Sequence, residues 1–171
     1  MIQPPVSASP RTEPTAAQVL VLLQRAHALS LKAMDAGHHP FAALLVAPDH
    51  ETVLMEQGNV DSVNHAEAVL ARDAARRYPP DLLWQCTLVT NVEPCAMCAG
   101  TQYWAHIGRL IYGLSERELL ALTGNHAENP TLDLPCRQVF ERGQKDMIVI
   151  GPVAEMAEPV AALHRRFWRS R

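Results

Sequence analysis

Between Thr15 and Ala36 the apolar residues fall at Val19, Leu20, Leu22, Leu23, Ala26, Leu29 and Ala33. This three-and-four spacing predicts an amphipathic helix, and Gly37 supplies its stop. Phe41 to Ala47 is a short apolar run without the polar positions of a helix, and it predicts a buried strand. Pro48-Asp49-His50-Glu51 is a turn, after which Thr52 to Gln57 returns as the second strand of a hairpin. Gly58 to Asn64 is polar and irregular.

Further along, His65 to Tyr78 contains no breaker and predicts a second helix, ended by Pro79-Pro80. Cys86 to Thr90 predicts a third strand, Cys95 to Ala105 a helix, and Arg109 to Leu114 a fourth strand. Ser115-Glu116-Arg117-Glu118 has the form of a capping box that opens a short helix. Residues 123–135 are a polar loop, a short helix follows to about Arg142, Met147 to Ile150 is a fifth strand, and Glu155 to Arg169 is a final helix. Strands that alternate with helices imply α/β layering. The fourth and fifth strands lie about thirty residues apart, which predicts a parallel crossover.

Length and composition fit this picture. A chain of 171 residues, 48% hydrophobic and 19% charged, suits one domain with a real core. Residues 1–14, rich in Pro, Ser and Thr, predict a mobile tail, and 15–171 a single domain. No apolar run is long enough for a bilayer, and the N-terminus lacks the features of a secretory signal. A cytoplasmic location and no membrane partner are therefore expected. The net charge of −3 gives no overall attraction to nucleic acid. The exception is the local run His164-Arg165-Arg166-Phe167-Trp168-Arg169, which reads most simply as an amphipathic helix docking Phe167 with its arginines solvated.

Two segments carry chemistry: His65-Ala66-Glu67 and Pro94-Cys95-Ala96-Met97-Cys98, each at a helix start. Cysteines three apart on a helical turn point the same way, and the positive helix N-terminus favours thiolate. His65 makes a third ligand. Three protein ligands leave a fourth tetrahedral position for water, as in catalytic zinc sites, and zinc lowers that water's pKa toward neutrality. Glu67, two residues from His65, is placed beside the water as the general acid/base and not as a ligand. A redox Cys-x-x-Cys leaves His-Ala-Glu without a role. A closed structural zinc would need a fourth ligand, and Cys86 and Cys136 read as core or helix-start thiols. The remaining histidines read as surface or packing residues.

His-x-Glu followed by Pro-Cys-x-x-Cys is the signature of zinc nucleobase deaminases, and from Pro40 to Gly113 the chain resembles the cytidine and deoxycytidylate deaminase superfamily. The resemblance implies a three-layer α/β/α fold with a five-stranded mixed sheet. It also implies a Zn2+ cofactor, a small nucleobase or nucleoside as substrate, and a homodimer. Asn91-Val92-Glu93-Pro94-Cys95 and Tyr103-Trp104-Ala105 are most similar to bacterial guanine deaminases. That similarity implies a purine, with Asn59 and the Ala66 amide on the base edge and Phe41 and Trp104 as apolar walls. The alternatives are a tRNA adenosine deaminase, a cytosine or cytidine deaminase, and an inactive zinc-stabilised module, against which Glu67 argues. The chain departs from its relatives at Ala42, where Gly is usual, at Asp61-Ser62-Val63-Asn64, where Asp-Pro-Thr-Ala is usual, and over 123–140.

Overall fold

The structure, a computed structural model, describes residues 11–124 and 126–169. Helix α1 (Ala16–Asp35) opens on Thr15, whose hydroxyl accepts from the Gln18 amide while the Gln18 side chain accepts from the Thr15 amide. This reciprocal cap satisfies two otherwise orphaned donors. Its buried stripe runs Val19, Leu22, Leu23, Ala26, Ser30, Ala33, and Gly37, at φ +89°, takes the left-handed turn that ends it. A hairpin follows: β1 (Ala42–Val46) and β2 (Val53–Gly58).

The rest of the chain alternates as expected. It runs α2 (Ala66–Arg77), α3 (Pro80–Gln85), β3 (Thr87–Val92), α4 (Ala96–Trp104), β4 (Arg109–Leu114), α5 (Glu116–Thr123), α6 (Cys136–Glu141), β5 (Ile148–Ile150) and α7 (Ala154–Trp168). Helix α3 has no counterpart in the periodicity. Pro79-Pro80 ends α2 but also starts α3, because proline at the first helical position loses no hydrogen bond and is already held at a helical φ. Cys86 consequently caps α3, and the strand begins one residue later.

The sheet order is β2-β1-β3-β4-β5. Strand β1 is antiparallel to both neighbours, whereas β3, β4 and β5 run parallel, so the predicted crossover between the fourth and fifth strands is present. Successive strand residues serve opposite faces. Ala43, Leu45, Leu88 and Leu110 pack with Leu70 of α2 and Ala99 of α4. Leu44, Val46, Val89 and Ile111 pack with Leu22 and Leu23 of α1 and Val160 of α7. The result is the expected three-layer α/β/α fold around a five-stranded mixed sheet. At the outer edge, Arg137 donates to the carbonyls of Val149 at 3.0 Å and Gly151 at 2.9 Å, across the open side of β5. Among the described residues no helix is long and apolar enough to cross a membrane.

The tail expected over residues 1–14 needs correction at its end; residues 1–10 lie outside the described residues. Arg11 lies over the Trp84 ring at 4.5 Å and donates to the Gly108 carbonyl at 2.7 Å. Arg109, fully buried, donates to the Thr12 carbonyl and to the Thr87 hydroxyl. A buried guanidinium requires acceptors, and Thr12 supplies one that the sheet cannot. Composition marks 11–14 as coil but does not show this anchoring.

Candidate active site

The residues singled out from the sequence gather at one end of the sheet. Because β1 is antiparallel to β2 and β3, its beginning, the end of β2 and the end of β3 share an edge, and parallel β4 brings its own end alongside. Ligand sites of α/β sheets lie outside such carboxyl ends. Asn91 pins this edge: its side chain donates to the Pro40 carbonyl at 2.9 Å and accepts from the Ala42 amide at 3.0 Å.

His65 is the N-cap of α2 and Cys95 the N-cap of α4, both in extended backbone. The His65 ring faces the Ser62 carbonyl with Nε2 at 3.1 Å, which turns Nδ1 toward the sulfurs. Its loop is shaped by Asp61, whose carboxylate accepts from the amides of Val63 and Asn64 and from the Asn64 side chain. These hydrogen bonds pull the Asp61 pKa down to about 2. Asp61-Ser62-Val63-Asn64 thus makes a tight side-chain-closed turn without proline.

His65 Nδ1 lies 3.6 Å from Cys95 Sγ and 3.5 Å from Cys98 Sγ, and the two sulfurs are 3.6 Å apart. Tetrahedral zinc, with bonds of about 2.3 Å to sulfur and 2.0–2.1 Å to nitrogen, requires ligand–ligand edges of roughly 3.5–3.8 Å. The three side chains therefore fit the ion as they stand. Among the described residues they form the group of His, Cys, Asp and Glu side chains able to hold a metal. The Sγ–Sγ contact between Cys95 and Cys98, ahead of the hydrogen bond with His65, pulls the Cys95 thiol down to about 4 while raising Cys98. Cys86 is buried in the α2/α4-side core, as expected, and Cys136, at the expected helix start, is buried in the same core.

Glu67, in the first turn of α2, is 4% exposed. Its Oε1 accepts from the Thr90 hydroxyl at 3.0 Å, and its Oε2 lies 3.6 Å from Cys98 Sγ. Burial raises its pKa. A carboxyl group so placed can exchange a proton beside the metal position without occupying it.

Asn59 is buried at the end of β2. Its backbone amide donates to Phe41 O at 2.9 Å and its side-chain Nδ2 to Asp61 O at 3.2 Å, while Oδ1 has no partner. Ala66 opens α2, where the first amides lack an intrahelical acceptor. Phe41 is at the same edge, its ring 4.9 Å from that of His164 in α7.

Trp104 does not join them. It is 77% exposed and lies nine residues beyond Cys95, about 13 Å along the axis of α4. The buried face of α4 carries Cys98, Ala99 and Gln102, and Trp104, about 200° on from Gln102, faces away. It borders an outer depression with Arg72, Arg76, Met97 and Thr101. The expectation of a pocket wall at Trp104 is therefore replaced by an exposed aromatic on the α2/α4 face.

Sequence reasoning missed two carboxyl groups at this edge. Glu93 is buried and accepts from the amides of Glu116 at 3.0 Å and Cys136 at 2.8 Å, tying α5 and α6 to the end of β3. Glu116 is itself buried at the start of α5. The capping box gave the correct role to Glu118, which bonds Ser115, but gave no signal for Glu116.

The sequence pattern of the cytidine and deoxycytidylate deaminase zinc-binding region matches residues 17–114, which contain the whole triad and Glu67. The chain belongs to this family. It is therefore a zinc-dependent hydrolase acting on C–N bonds, a deaminase. It is 36% identical over 155 residues to a probable cytosine deaminase of Schizosaccharomyces pombe, covering 87% of this chain and 91% of that protein. It is 36% identical over 95 residues to the guanine deaminase of Bacillus subtilis, covering 53% of this chain and 60% of that one. The guanine deaminase of Nitrosomonas europaea shares the fold, with a TM-score of 0.64 at 21% identity over 95% of this deaminase and 89% of its own chain.

Proposed function

We propose that this deaminase acts on a free nucleobase, with His65, Cys95 and Cys98 as zinc ligands and Glu67 as the proton carrier. A zinc ion held there would supply Lewis-acid activation of a water molecule. Glu67 takes a proton from the attacking water and passes it to a ring nitrogen, and then carries the remaining hydroxyl proton to the departing amine as the C=O forms. The balance is one water consumed, one C–N bond broken, one C=O formed and one ammonia released. Asn59 Oδ1, buried and unpartnered, is suited to an N–H on the base, and the Ala66 amide to a ring or carbonyl acceptor. Phe41 adds apolar surface.

The observation that carries the free-base reading over the tRNA reading is the seating of α7. Phe167 and Trp168 are each only 6% exposed, and Arg165 bonds Glu158 on the same helix. The C-terminal aromatics are thus packed away and are not displayed among the arginines to stack on nucleotides. Guanine or a related purine is the first base to try, on the Glu93-Pro94-Cys95 and Tyr103-Trp104-Ala105 resemblance. The exposure of Trp104 removes one support for it. Cytosine is the second reading, favoured by the relative that aligns over nearly its whole length.

Ammonia release from guanine, adenine, cytosine, their nucleosides and a tRNA anticodon stem tests the proposal. Turnover of a free base is expected, and turnover of the tRNA stem alone would overturn it. The homodimer and the cytoplasmic location belong to the same proposal, and light scattering on the purified chain tests the first.

A further inference from the structure

Helix α4 carries no charged residue from Ala96 to Trp104. Its inner face, Cys98, Ala99 and Gln102, is buried. Its outer face runs Ala96, Met97, Gly100, Thr101, Trp104 and borders an open depression shared with Arg72 and Arg76 of α2. A helix without a charged face is ordinarily covered on all sides. Among the described residues nothing covers this one. Trp104 is 77% exposed, and a methyl group placed on Gly100 would meet no atom within 4 Å. Glycine weakens a helix interior, and nothing within the chain calls for it at this position.

The face has the composition of an interface centre, with Trp, Met and Arg present and no acidic residue among them. Trp104 is also held in place. The Tyr103 ring meets it edge-on at 5.6 Å, and Lys145 Nζ lies 5.8 Å from its centroid. An exposed aromatic fixed in this way loses little freedom when it is covered.

The order of side-chain sizes along α4 says what covers it. Gly100 is the middle residue of the helix, with Ala96 at one end and Trp104 at the other. Two copies related by a twofold axis at Gly100 would cross their α4 helices antiparallel. Gly100 then meets Gly100, and Trp104 of each copy falls over Ala96 of the other, bulk against space. There it enters the depression that Arg72 and Arg76 border, where a guanidinium can lie against its ring. No like charges on α4 face each other across the axis.

We propose that the outer α2/α4 face pairs two copies of this chain, with Trp104 as anchor and the twofold axis at Gly100. Ala96 and Met97 separate Cys95 from Cys98, so the second copy packs on the turn that carries both sulfurs. The inference rests on the homodimer named above and is independent of the free-base reading.

Gly100→Glu, Trp104→Ala and Val21→Glu test it, with the mass of each measured by sedimentation equilibrium over a range of concentrations and the fold checked by circular dichroism. Val21 is 63% exposed on α1, in the opposite layer. The parent is expected to be a dimer. Gly100→Glu is expected to be a folded monomer at concentrations where the parent is paired, because its side chain has open space within one chain but meets its twin across the axis. Trp104→Ala is expected to raise the dimer dissociation constant about thirtyfold or more, as for a central anchor. Val21→Glu is expected to keep the parental mass. A parent that is monomeric throughout, a folded Gly100→Glu protein of parental mass, or a monomeric Val21→Glu would each overturn the proposal. If Gly100→Glu does not fold, the dissociation constant of Trp104→Ala decides. Parental mass in Trp104→Ala, with loss of a salt-dependent affinity for single-stranded RNA that the parent shows, would overturn it in favour of a nucleic-acid surface. Ammonia release judges the free-base reading separately, and its failure leaves the pairing untouched.

Discussion

The Thr90 hydroxyl donates to Glu67 Oε1 at 3.0 Å, anchoring the carboxyl group beside the candidate metal site to β3, the central strand of the sheet. One oxygen is thereby fixed while the other remains toward Cys98. Glu67→Gln should keep fold and zinc and lose roughly 10²–10⁴-fold in kcat. Thr90→Val, nearly isosteric, should keep zinc and lose about tenfold, because Glu67 then lacks its orienting donor. Steady-state kinetics with metal analysis check both. Equal activity in parent and Glu67→Gln would place the proton carrier elsewhere.

Cys95→Ala and Cys98→Ala should each lose about one equivalent of zinc per chain, since a thiolate supplies much of the affinity of such a site. Cys86→Ala and Cys136→Ala should retain it, because both thiols lie in the core. Elemental analysis after dialysis distinguishes the pairs. Full occupancy in the first two would exclude them as ligands.

Glu93→Ala removes the acceptor of two buried amides, those of Glu116 and Cys136. The expected cost is about 3 kcal/mol, read as a shift of the denaturant midpoint. Activity should fall beyond what the unfolded fraction explains, because α5 loses its tie to the end of β3. A midpoint within error of the parent would show that the two amides find other acceptors.

His164 sets a pH dependence of stability. It is fully buried in α7 and accepts at Nδ1 from Trp168 Nε1 at 3.2 Å, so its own proton sits on Nε2, which has no partner. Burial first, then the neighbouring His27 and His39, push its pKa down to about 3. The unfolded chain binds a proton below about 6.5 that the folded chain refuses. The contribution is therefore whole above pH 6.5 and is lost as pH falls toward 3, with about 2 kcal/mol gone by pH 5. Thermal midpoints from pH 7 to 5 should fall less steeply in His164→Gln. Parallel slopes would assign the acid sensitivity to other groups.

The candidate metal cluster was legible because its spacing is local. Cys95 and Cys98 share one turn of α4, His65 and Glu67 share the start of α2, and a helix start needs no tertiary information to be recognised. The strands were legible for the same reason, their side chains alternating between two apolar layers. Trp104 was not, since its exposure depends on which face of α4 meets the sheet, and Tyr103-Trp104-Ala105 looks apolar all round. Glu116 was hidden because its burial follows from Glu93, 23 residues away. Arg11 was hidden because its partners, Gly108 and Trp84, are brought to it by the fold.

The guanidinium of Arg137 spans the carbonyls of Val149 and Gly151 on the open side of β5. Ile148-Val149-Ile150 is an apolar, β-branched segment with a backbone edge that could template a strand from another molecule. Arg137 fills two of the acceptors such a strand would need and sets a positive charge in its path. Replacing Arg137 is therefore expected to open β5 to pairing with a second copy of the protein.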